Sequence, residues 1–335
     1  MNPGPIALTL GDPAGIGPEI IVKAWRELRD SGPRFFVVGD ARSLASAPTA
    51  TPGIAQAISS PDGVDAVFAH AIPVLDLPLR SAVVAGRPSA SAAPEIIRWI
   101  ERAVGLALSG TVSGIVTAPI AKAPLYEAGF KFPGHTEFLG DLTAAAKLGG
   151  ERGPVMMLAS ADLRVALVTV HEPIARVASR LSIEAIVRTG VVTAQALTRD
   201  FGIAAPRLAV AGLNPHAGED GAIGREEIEI VEPAVRALQA LGIAAHGPLP
   251  ADTLFHAEAR AKSDAVICLY HDQALIPIKM LDFWGGVNVT LGLPIVRTSP
   301  DHGTAFDIAG RGLARADSLV AALRMAADIV QRRAS

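Results

Sequence analysis

Polar side chains follow five apolar, strand-like segments, each at the point where the segment ends. Because parallel strands bind ligands in the crevice outside their carboxyl ends, we expect these side chains to lie along one edge of a sheet. Three of the five ends carry a histidine, and neutral imidazole suits zinc, cobalt, nickel and iron. The ends are Gly11-Asp12-Pro13, Thr117-Ala118-Pro119, His171-Glu172-Pro173, Asn214-Pro215-His216 and His271-Asp272-Gln273.

His171, His216 and His271 are therefore candidate ligands of one metal ion. Three imidazoles leave a coordination position open for a substrate. Asp252 and Asp272 could complete the shell or orient an imidazole. The alternative is that each histidine is an ordinary loop residue, because none of them belongs to a short His-x3-His spacing.

A second set of residues could bind an anion. In the segment FPGHTEFLG, Gly134 precedes His135 and Thr136, and the following residues are typical of a helix start. The free N–H groups of such a start favour an anion, although an ordinary capped helix explains the pattern equally well. Further along the chain, two cations and an amide donor could hold a phosphate or a carboxylate, although each alone is more often a surface residue. They are Lys279, Asn288 and Arg297.

The glycine-rich segment GDPAGIGPE (11–19) matches neither the phosphate-binding loop of P-loop proteins nor the Rossmann fingerprint. Any nucleotide must therefore bind in another way, and the glycines could simply permit a tight turn. The only cysteine, Cys268, lies in the apolar run AVICLY, which predicts a buried small side chain rather than a nucleophile.

The elements that must position these residues alternate between Val/Ile/Leu-rich runs and longer helical patterns. The runs predict strands that include IALTL (6–10), GIVTAP (114–119) and DAVICLY, with edge strands at DAVFAH (65–70) and around Val74. The alternation predicts an α/β fold of two lobes, with a mostly parallel sheet and helices on both faces. We expect one lobe from 1–120 plus 271–335, and a central lobe from 121–270 with the metal ligands and a dimer interface. The predicted helices cover 18–30, 89–109, 183–200, 225–242, 252–262 and 315–332.

Composition excludes several classes of function. The net charge of −3 and the aromatic content of 4% offer no basic surface or stacking platform for nucleic acid. The apolar runs are of strand length, so we expect no membrane span, and the N-terminus lacks the charged start of a signal peptide. A single cysteine fits the reducing cytoplasm.

Taken together, the motifs resemble the 4-hydroxythreonine-4-phosphate dehydrogenase family of pyridoxal phosphate biosynthesis. The matching segments run from end to end of the chain in one order, which makes the set far more specific than any single motif. They are GDPAGIGPE (11–19), TAPIAK (117–122), PGHTEFL (133–139), VTVHEPI (168–174), GLNPHAGEDG (212–221), GPLPADTLF (247–255), YHDQALIPIK (270–279) and GVNVTLGLPIVRTSPDHGTAFDIAG (286–310).

The resemblance implies the fold of isocitrate and isopropylmalate dehydrogenases and a homodimer whose active site is shared. It implies one divalent metal per site (zinc, magnesium or cobalt) on His171, His216 and His271, the first two from one subunit and the third from its partner. It also implies NAD or NADP as cofactor, and the segment 302–310 looks like the adenosine-binding loop of the wider group. The implied substrate contacts are His135, Thr136, Lys279, Asn288 and Arg297, and the implied cofactor contacts are His302, Gly303, Thr304 and Asp307.

The implied reaction is oxidation of 4-phosphooxy-L-threonine to 2-amino-3-oxo-4-phosphooxybutanoate, which loses CO2 to give 3-amino-2-oxopropyl phosphate. The general base stays open, with Asp252 and Lys122 as candidates. Relatives that act on 4-phospho-threonate, 4-phospho-erythronate or a dihydrodiol are alternatives. So are a non-catalytic protein that binds a phosphorylated metabolite and a metal-dependent phosphate-ester hydrolase.

Overall fold

The computed structural model describes residues 4–334 and divides into two compact units. Unit 1 runs up to Lys147 and resumes at Pro294, and unit 2 is Leu148–Leu293. The strands are β1 Ile6–Thr9, β2 Phe35–Gly39, β3 Ala55–Ile58, β4 Ile72–Asp76, β5 Gly114–Thr117, β6 Val155–Ala159, β7 Arg164–Leu167, β8 Arg207–Ala211, β9 Ala244–Leu249, β10 Ala265–Cys268, β11 Val287–Leu291 and β12 Arg297–Pro300. The α-helices are α1 Gly17–Leu28, α2 Ala41–Ala45, α3 Val64–Val67, α4 Ala93–Leu108, α5 Lys122–Glu127, α6 His135–Leu142, α7 Ile174–Arg180, α8 Ile183–Phe201, α9 Glu232–Ala240, α10 Ala257–Arg260, α11 His271–Leu281 and α12 Asp317–Ala334.

In unit 1 the strands are ordered β3-β4-β2-β1-β5-β12, and every neighbouring pair is parallel. The central strands are apolar and fully buried along their length, as parallel strands covered on both faces must be. Helix α1 begins as predicted, with a proline in its first turn and Glu19 near its N-terminus. The register of β1 and β5 aligns Thr9 with Thr117, so the carboxyl ends of both strands reach the same edge of the sheet.

In unit 2 the strands are ordered β11-β6-β7-β10-β8-β9. The pairs of β7, β10, β8 and β9 are parallel, whereas β6 is antiparallel to both β11 and β7. The α/β class with mostly parallel strands is therefore confirmed. Because β7, β8 and β10 are parallel neighbours, the segments that follow them, which carry His171, His216 and His271, leave the sheet at one edge.

Two secondary-structure predictions were wrong, and two strands were missed. Residues 65–70 do not form a strand, because Val64, Val67 and Phe68 are buried at helical spacing and 64–67 form α3. The helix predicted at 252–262 shrinks to α10, Ala257–Arg260, after a series of turns. Strands β3 and β9 were missed because their mixed burial gives no continuous apolar run. No helix among residues 4–334 is both long and apolar enough to cross a membrane.

Candidate active site

Arg297, the first residue of β12, is the most deeply buried cation among the predicted site residues. Only 3% of it is exposed, and its Nη2 donates a hydrogen bond of 2.7 Å to Oγ1 of Thr117 at the end of β5. Burial lowers the pKa of Arg297 to about 10, against the attraction of the Glu137 carboxylate, so the guanidinium still carries its charge at neutral pH. A buried cation of this kind gains most from a ligand that is an anion.

His135 begins α6 beside this cation. Its Nε2 is inaccessible to solvent and has no hydrogen-bond partner among residues 4–334. Burial, with a smaller contribution from the positive charge of Arg297, lowers the pKa of His135 well below its usual value. The imidazole is therefore neutral at pH 7 and offers a buried polar atom that a ligand could satisfy.

The start of α6 supplies the rest of the candidate anion site. Gly134 is buried with extended backbone at the helix N-cap, and Thr136 is half-buried in the first turn. A Cβ at Gly134 would stand 3.4 Å from Oε2 of Glu137 and 3.7 Å from Nζ of Lys122, so both charges flank this turn. Lys122, one candidate general base, thus lies beside the predicted substrate contacts of unit 1. Asp252, the other candidate, is exposed in unit 2.

Two of the three candidate metal ligands lie together in unit 2. The ring centroids of His171 and His271 are 5.9 Å apart, and both residues line a cavity of 490 Å³. Oδ1 of Asp272 lies 2.7 Å from Nδ1 of His271, which leaves Nε2 of that ring available to a metal. Two neighbouring imidazoles are a donor set that suits zinc or cobalt.

His216 lies apart from this pair and lines a different cavity, together with Glu232 and Arg236. Within residues 4–334 of one chain, no group of three or more His, Cys, Asp or Glu side chains is placed to hold a metal ion. The segment that carries His216 is strained, because residues 216–220 have φ angles between 42° and 81° and four of these residues are not glycine. Each such residue costs on the order of 1–2 kcal/mol, and strain of this kind is concentrated at functional sites.

Buried side chains tie the three histidine-bearing segments together. Oγ1 of Thr169 donates to the carbonyl of Leu269 at 2.7 Å, which joins the segments of His171 and His271. Gln273 accepts from the N–H of Leu269 and donates to the carbonyl of Gly212, both at 2.7 Å, which joins the segments of His271 and His216. Sequence reasoning noted Gln273 only as part of a strand end, and its position two residues after a candidate ligand was the available signal.

The remaining predicted substrate contacts, Lys279 and Asn288, belong to unit 2. Nζ of Lys279 lies 5.3 Å from the ring centroid of Phe283, and the side chain is half-buried. Oδ1 of Asn288 is inaccessible to solvent and has no hydrogen-bond partner in the described part of the chain. Oδ1 of Asn288 is thus a second buried polar atom that could accept a hydrogen bond from a ligand.

The predicted cofactor loop, His302 to Asp307, packs against the glycine-rich segment of unit 1. The N–H of Ile16 donates to the carbonyl of Thr304 at 3.0 Å, and a Cβ at Gly15 would stand 2.9 Å from the same oxygen. Gly303, in contrast, is exposed, with no heavy atom within 4 Å of where its Cβ would stand. The glycines of GDPAGIGPE therefore permit close packing, and a flat ligand could approach the backbone at Gly303.

Two further residues of the sequence analysis, Cys268 and Thr117, differ in their relation to these sites. Cys268 is fully buried in β10, and burial raises the pKa of its thiol, which agrees with a packing role. Thr117 was noted in the sequence only as a strand end, yet it holds the Arg297 guanidinium. Its position after a parallel strand was the signal that could have identified it.

Comparison with known proteins gives consistent results along the whole chain. The family model described as pyridoxal phosphate biosynthetic protein PdxA matches residues 32–326. A relative from Caulobacter vibrioides named 4-hydroxythreonine-4-phosphate dehydrogenase is 68% identical over 333 residues, which cover 99% of each chain. A relative of the same name from Maricaulis maris is 54% identical and covers 98% of each chain.

Solved structures extend the comparison. A crystal structure of 4-hydroxythreonine-4-phosphate dehydrogenase from Klebsiella pneumoniae superposes with a TM-score of 0.85 at 41% identity and covers 98% of each chain. A terephthalate 1,2-cis-dihydrodiol dehydrogenase from Burkholderia xenovorans LB400 superposes with a TM-score of 0.63 at 29% identity, and covers 97% of this chain and 98% of that one.

Proposed function

The chain belongs to the PdxA family of pyridoxal phosphate biosynthetic proteins, and from this premise we propose that it oxidises 4-phosphooxy-L-threonine with NAD or NADP. The observation that carries the proposal is the 68% identity, over 99% of each chain, with a relative named for that substrate. The greater similarity to this group than to the dihydrodiol dehydrogenase, at 29% identity, favours the phosphorylated substrate over a dihydrodiol.

The residues at the start of α6 and β12 are proposed to hold the substrate. The buried Arg297 offers a bidentate donor to an anionic group of the substrate, and the neutral His135 offers a polar atom inaccessible to water. Thr136 adds a hydroxyl in the same turn. Lys279 and Asn288 are proposed as further substrate contacts because their motifs resemble those of the family. Holding the phosphate in this way would fix the position of the reacting carbon, C3.

His171, His216 and His271 are proposed to hold a divalent metal, and the loop from His302 to Asp307, with Gly303 and Thr304, to contact the cofactor. Neutral imidazole is a donor that suits such a metal, and the open approach to Gly303 fits a nucleotide. When bound, the metal supplies Lewis-acid stabilisation of the substrate's C3 oxygen, and the nicotinamide supplies the hydride acceptor. Lys122 and Asp252 remain the candidates for removal of the C3 hydroxyl proton.

The oxidation would give a β-keto acid, because the new ketone at C3 lies next to the carbon that bears the carboxylate. The bond from C2 to the carboxylate can then break, as the ketone accepts the electron pair and CO2 leaves. A proton added at C2 completes 3-amino-2-oxopropyl phosphate.

The protein is proposed to act as a homodimer in which two subunits complete each metal site. Apolar side chains are exposed on and after α11, where a second copy could cover them: 64% of Ile276, 82% of Met280, 59% of Phe283 and 49% of Trp284 are exposed. Subunit mixing tests the shared site. If His171 and His271 of one site come from different subunits, mixing His171→Ala with His271→Ala protein restores part of the activity. Confirmed subunit exchange without recovered activity contradicts the sharing, although it leaves the metal site itself possible.

A substrate panel tests the function. The protein with NAD or NADP and zinc, magnesium or cobalt is given 4-phosphooxy-L-threonine, 4-phospho-threonate, 4-phospho-erythronate or a terephthalate dihydrodiol, and reduced-cofactor absorbance is recorded. We expect the highest kcat/KM with 4-phosphooxy-L-threonine. A higher value for another member of the panel reassigns the substrate. Phosphate release without NAD would support a hydrolase, and binding without turnover of any member would support a non-catalytic binding protein.

A further inference from the structure

The turn that carries His216 has a backbone conformation that its sequence does not favour throughout. Residues 216–220 all have positive φ angles, which Ala217 and Glu219 rarely adopt. Backbone hydrogen bonds border the turn, from the N–H of Ala217 to the carbonyl of Asn214 and from the N–H of Ala222 to the carbonyl of Glu219. Contacts from groups outside the turn can offset the remaining strain.

Glu227 is the buried group that contacts this turn. Only 1% of the residue is exposed. Its Oε1 accepts hydrogen bonds from the N–H groups of Leu213 and Asn214, both at 2.7 Å, and its Oε2 accepts from Nδ2 of Asn214 at 2.9 Å. A buried carboxylate is costly unless it is hydrogen-bonded in this way, so these contacts fix the chain immediately before His216.

The same carboxylate also touches the turn after His216. A Cβ at Gly218 would stand 2.7 Å from Oε2 of Glu227, so this oxygen lies against the backbone of the turn. Glu227 itself begins a π-helical segment, Glu227–Val231, and π-helical turns are frequent at functional sites. One side chain therefore contacts the chain on both sides of His216.

We propose that Glu227 is a positioning residue that fixes the left-handed turn at 216–220 and, through it, the imidazole of His216. This inference rests on the proposed function, in which His216 is a metal ligand. Its role differs from that of Asp272, which contacts the imidazole of His271 directly. Glu227 acts through the backbone, and it would make metal binding depend on a buried residue that touches no ligand.

Cobalt(II) binding to the full-length, metal-free protein tests the proposal through the visible absorbance of the bound ion. Glu227→Gln keeps the size of the side chain but sets an amide against N–H donors. The matched control is Glu229→Gln, because Glu229 lies on the same segment, is 59% exposed and pairs with Arg225. We expect Glu227→Gln to weaken Co²⁺ binding about tenfold to hundredfold, as loss of outer-shell partners does, and the control to bind like wild type.

Backbone hydrogen exchange of residues 213–223 in the metal-free protein supplies a readout that needs no metal. We expect faster exchange there in Glu227→Gln than in wild type or Glu229→Gln, at an unchanged melting temperature for the rest of unit 2. Wild-type Co²⁺ affinity and exchange in folded Glu227→Gln overturn the proposal. If that variant does not fold, Asn214→Ala removes the Nδ2 bond to Glu227 together with the bond of the same atom to Glu226. Wild-type affinity and exchange in this variant overturn the proposal instead.

His216→Ala separates the two hypotheses. Loss of Co²⁺ affinity in His216→Ala, together with wild-type affinity in Glu227→Gln, leaves the metal site standing and refutes the positioning role. Wild-type affinity in His216→Ala refutes the ligand assignment within the proposed function. The hydrogen exchange result then decides alone whether Glu227 fixes the turn.

Discussion

The candidate substrate residues of unit 1 and the candidate metal ligands of unit 2 differ in their exposure to solvent. Arg297 is 97% removed from solvent and His135 hides its Nε2, whereas His171 and His216 are exposed. The buried residues bear a desolvation cost in the free protein that an anionic ligand would offset. The exposed residues bear little such cost. The backbone near them is held by hydrogen bonds from buried side chains such as those of Gln273 and Glu227. Function and stability should therefore be coupled in unit 1 and separable in unit 2.

The strongest test of separability is removal of one exposed candidate ligand. We expect His171→Ala to lower kcat/KM by more than about a hundredfold, since loss of outer-shell partners alone costs 10–100-fold in affinity or activity. The free energy of unfolding should change by less than about 0.5 kcal/mol, as for other surface substitutions. Steady-state kinetics and urea unfolding measure the two quantities. His256→Ala, an exposed histidine of the same unit, should change neither. A large loss of stability in His171→Ala would break the contrast.

Coupling in unit 1 is tested by Arg297→Met, which replaces the buried cation by an apolar side chain of similar length. We expect kcat/KM for the phosphorylated substrate to fall about tenfold to hundredfold, with the KM for NAD unchanged, because a hydrogen bond from a charged group is worth roughly 1.5–3 kcal/mol. Stability should stay equal or rise, since apolar residues often replace buried charges at no cost.

The control for Arg297→Met is Arg315→Met, because Arg315 is an exposed arginine of unit 1 that pairs with Asp317. It should leave both kinetics and unfolding close to wild type. Wild-type kcat/KM in Arg297→Met would remove Arg297 from the substrate site, whatever its effect on stability.

A substitution in the cofactor loop tests whether exposure, rather than the unit to which a residue belongs, decides if function can be lost without stability. Gly303 lies in unit 1 but meets open space, so Gly303→Val should fold normally. We expect it to raise the KM for NAD about fivefold, the factor that corresponds to ~1 kcal/mol, by excluding the nucleotide sterically. Gly105→Val, at another open glycine of the same unit, is the matched control. Unchanged NAD affinity in Gly303→Val would contradict the placement of the adenosine on this loop.

The sequence predicted the strand ends well because apolar runs and the residues after them are local features. The continuous runs of β1, β5, β8 and β10 and their polar successors are all present. The segment of α3 was assigned to a strand because periodicity over four residues does not separate a strand from a helix. Strand β3 was missed because it has no continuous apolar run. The burial of Val64, Val67 and Phe68 at helical spacing distinguishes the helix α3 from a strand.

The candidate site was predictable in residue type but not in its supporting contacts. The histidines and Arg297 were visible from motifs, whereas Thr117, Gln273 and Glu227 act through hydrogen bonds to residues 180, 61 and 14 positions away in sequence, respectively. The left-handed turn at 216–220 was equally hidden, because its sequence lacks the run of glycines that such angles favour. Long-range contacts of this kind leave no periodicity in the sequence.

The smallest expected effect concerns the pH dependence of stability and comes from His135. Its pKa is held well below the usual value by burial, so the folded protein keeps this imidazole neutral while the unfolded chain protonates it near pH ~6.5. Unfolding below that pH therefore takes up a proton, and the contribution of His135 makes stability fall as pH falls from about 6.5 towards the folded pKa.

His135→Gln should lower the proton uptake on unfolding at pH 5.5 by up to ~1 proton, measured from urea unfolding between pH 5 and 7.5. His171→Gln controls for a change in histidine content. An equally flattened slope in that variant would show that burial of His135 is not the cause, and that the contrast between the two regions does not extend to protonation.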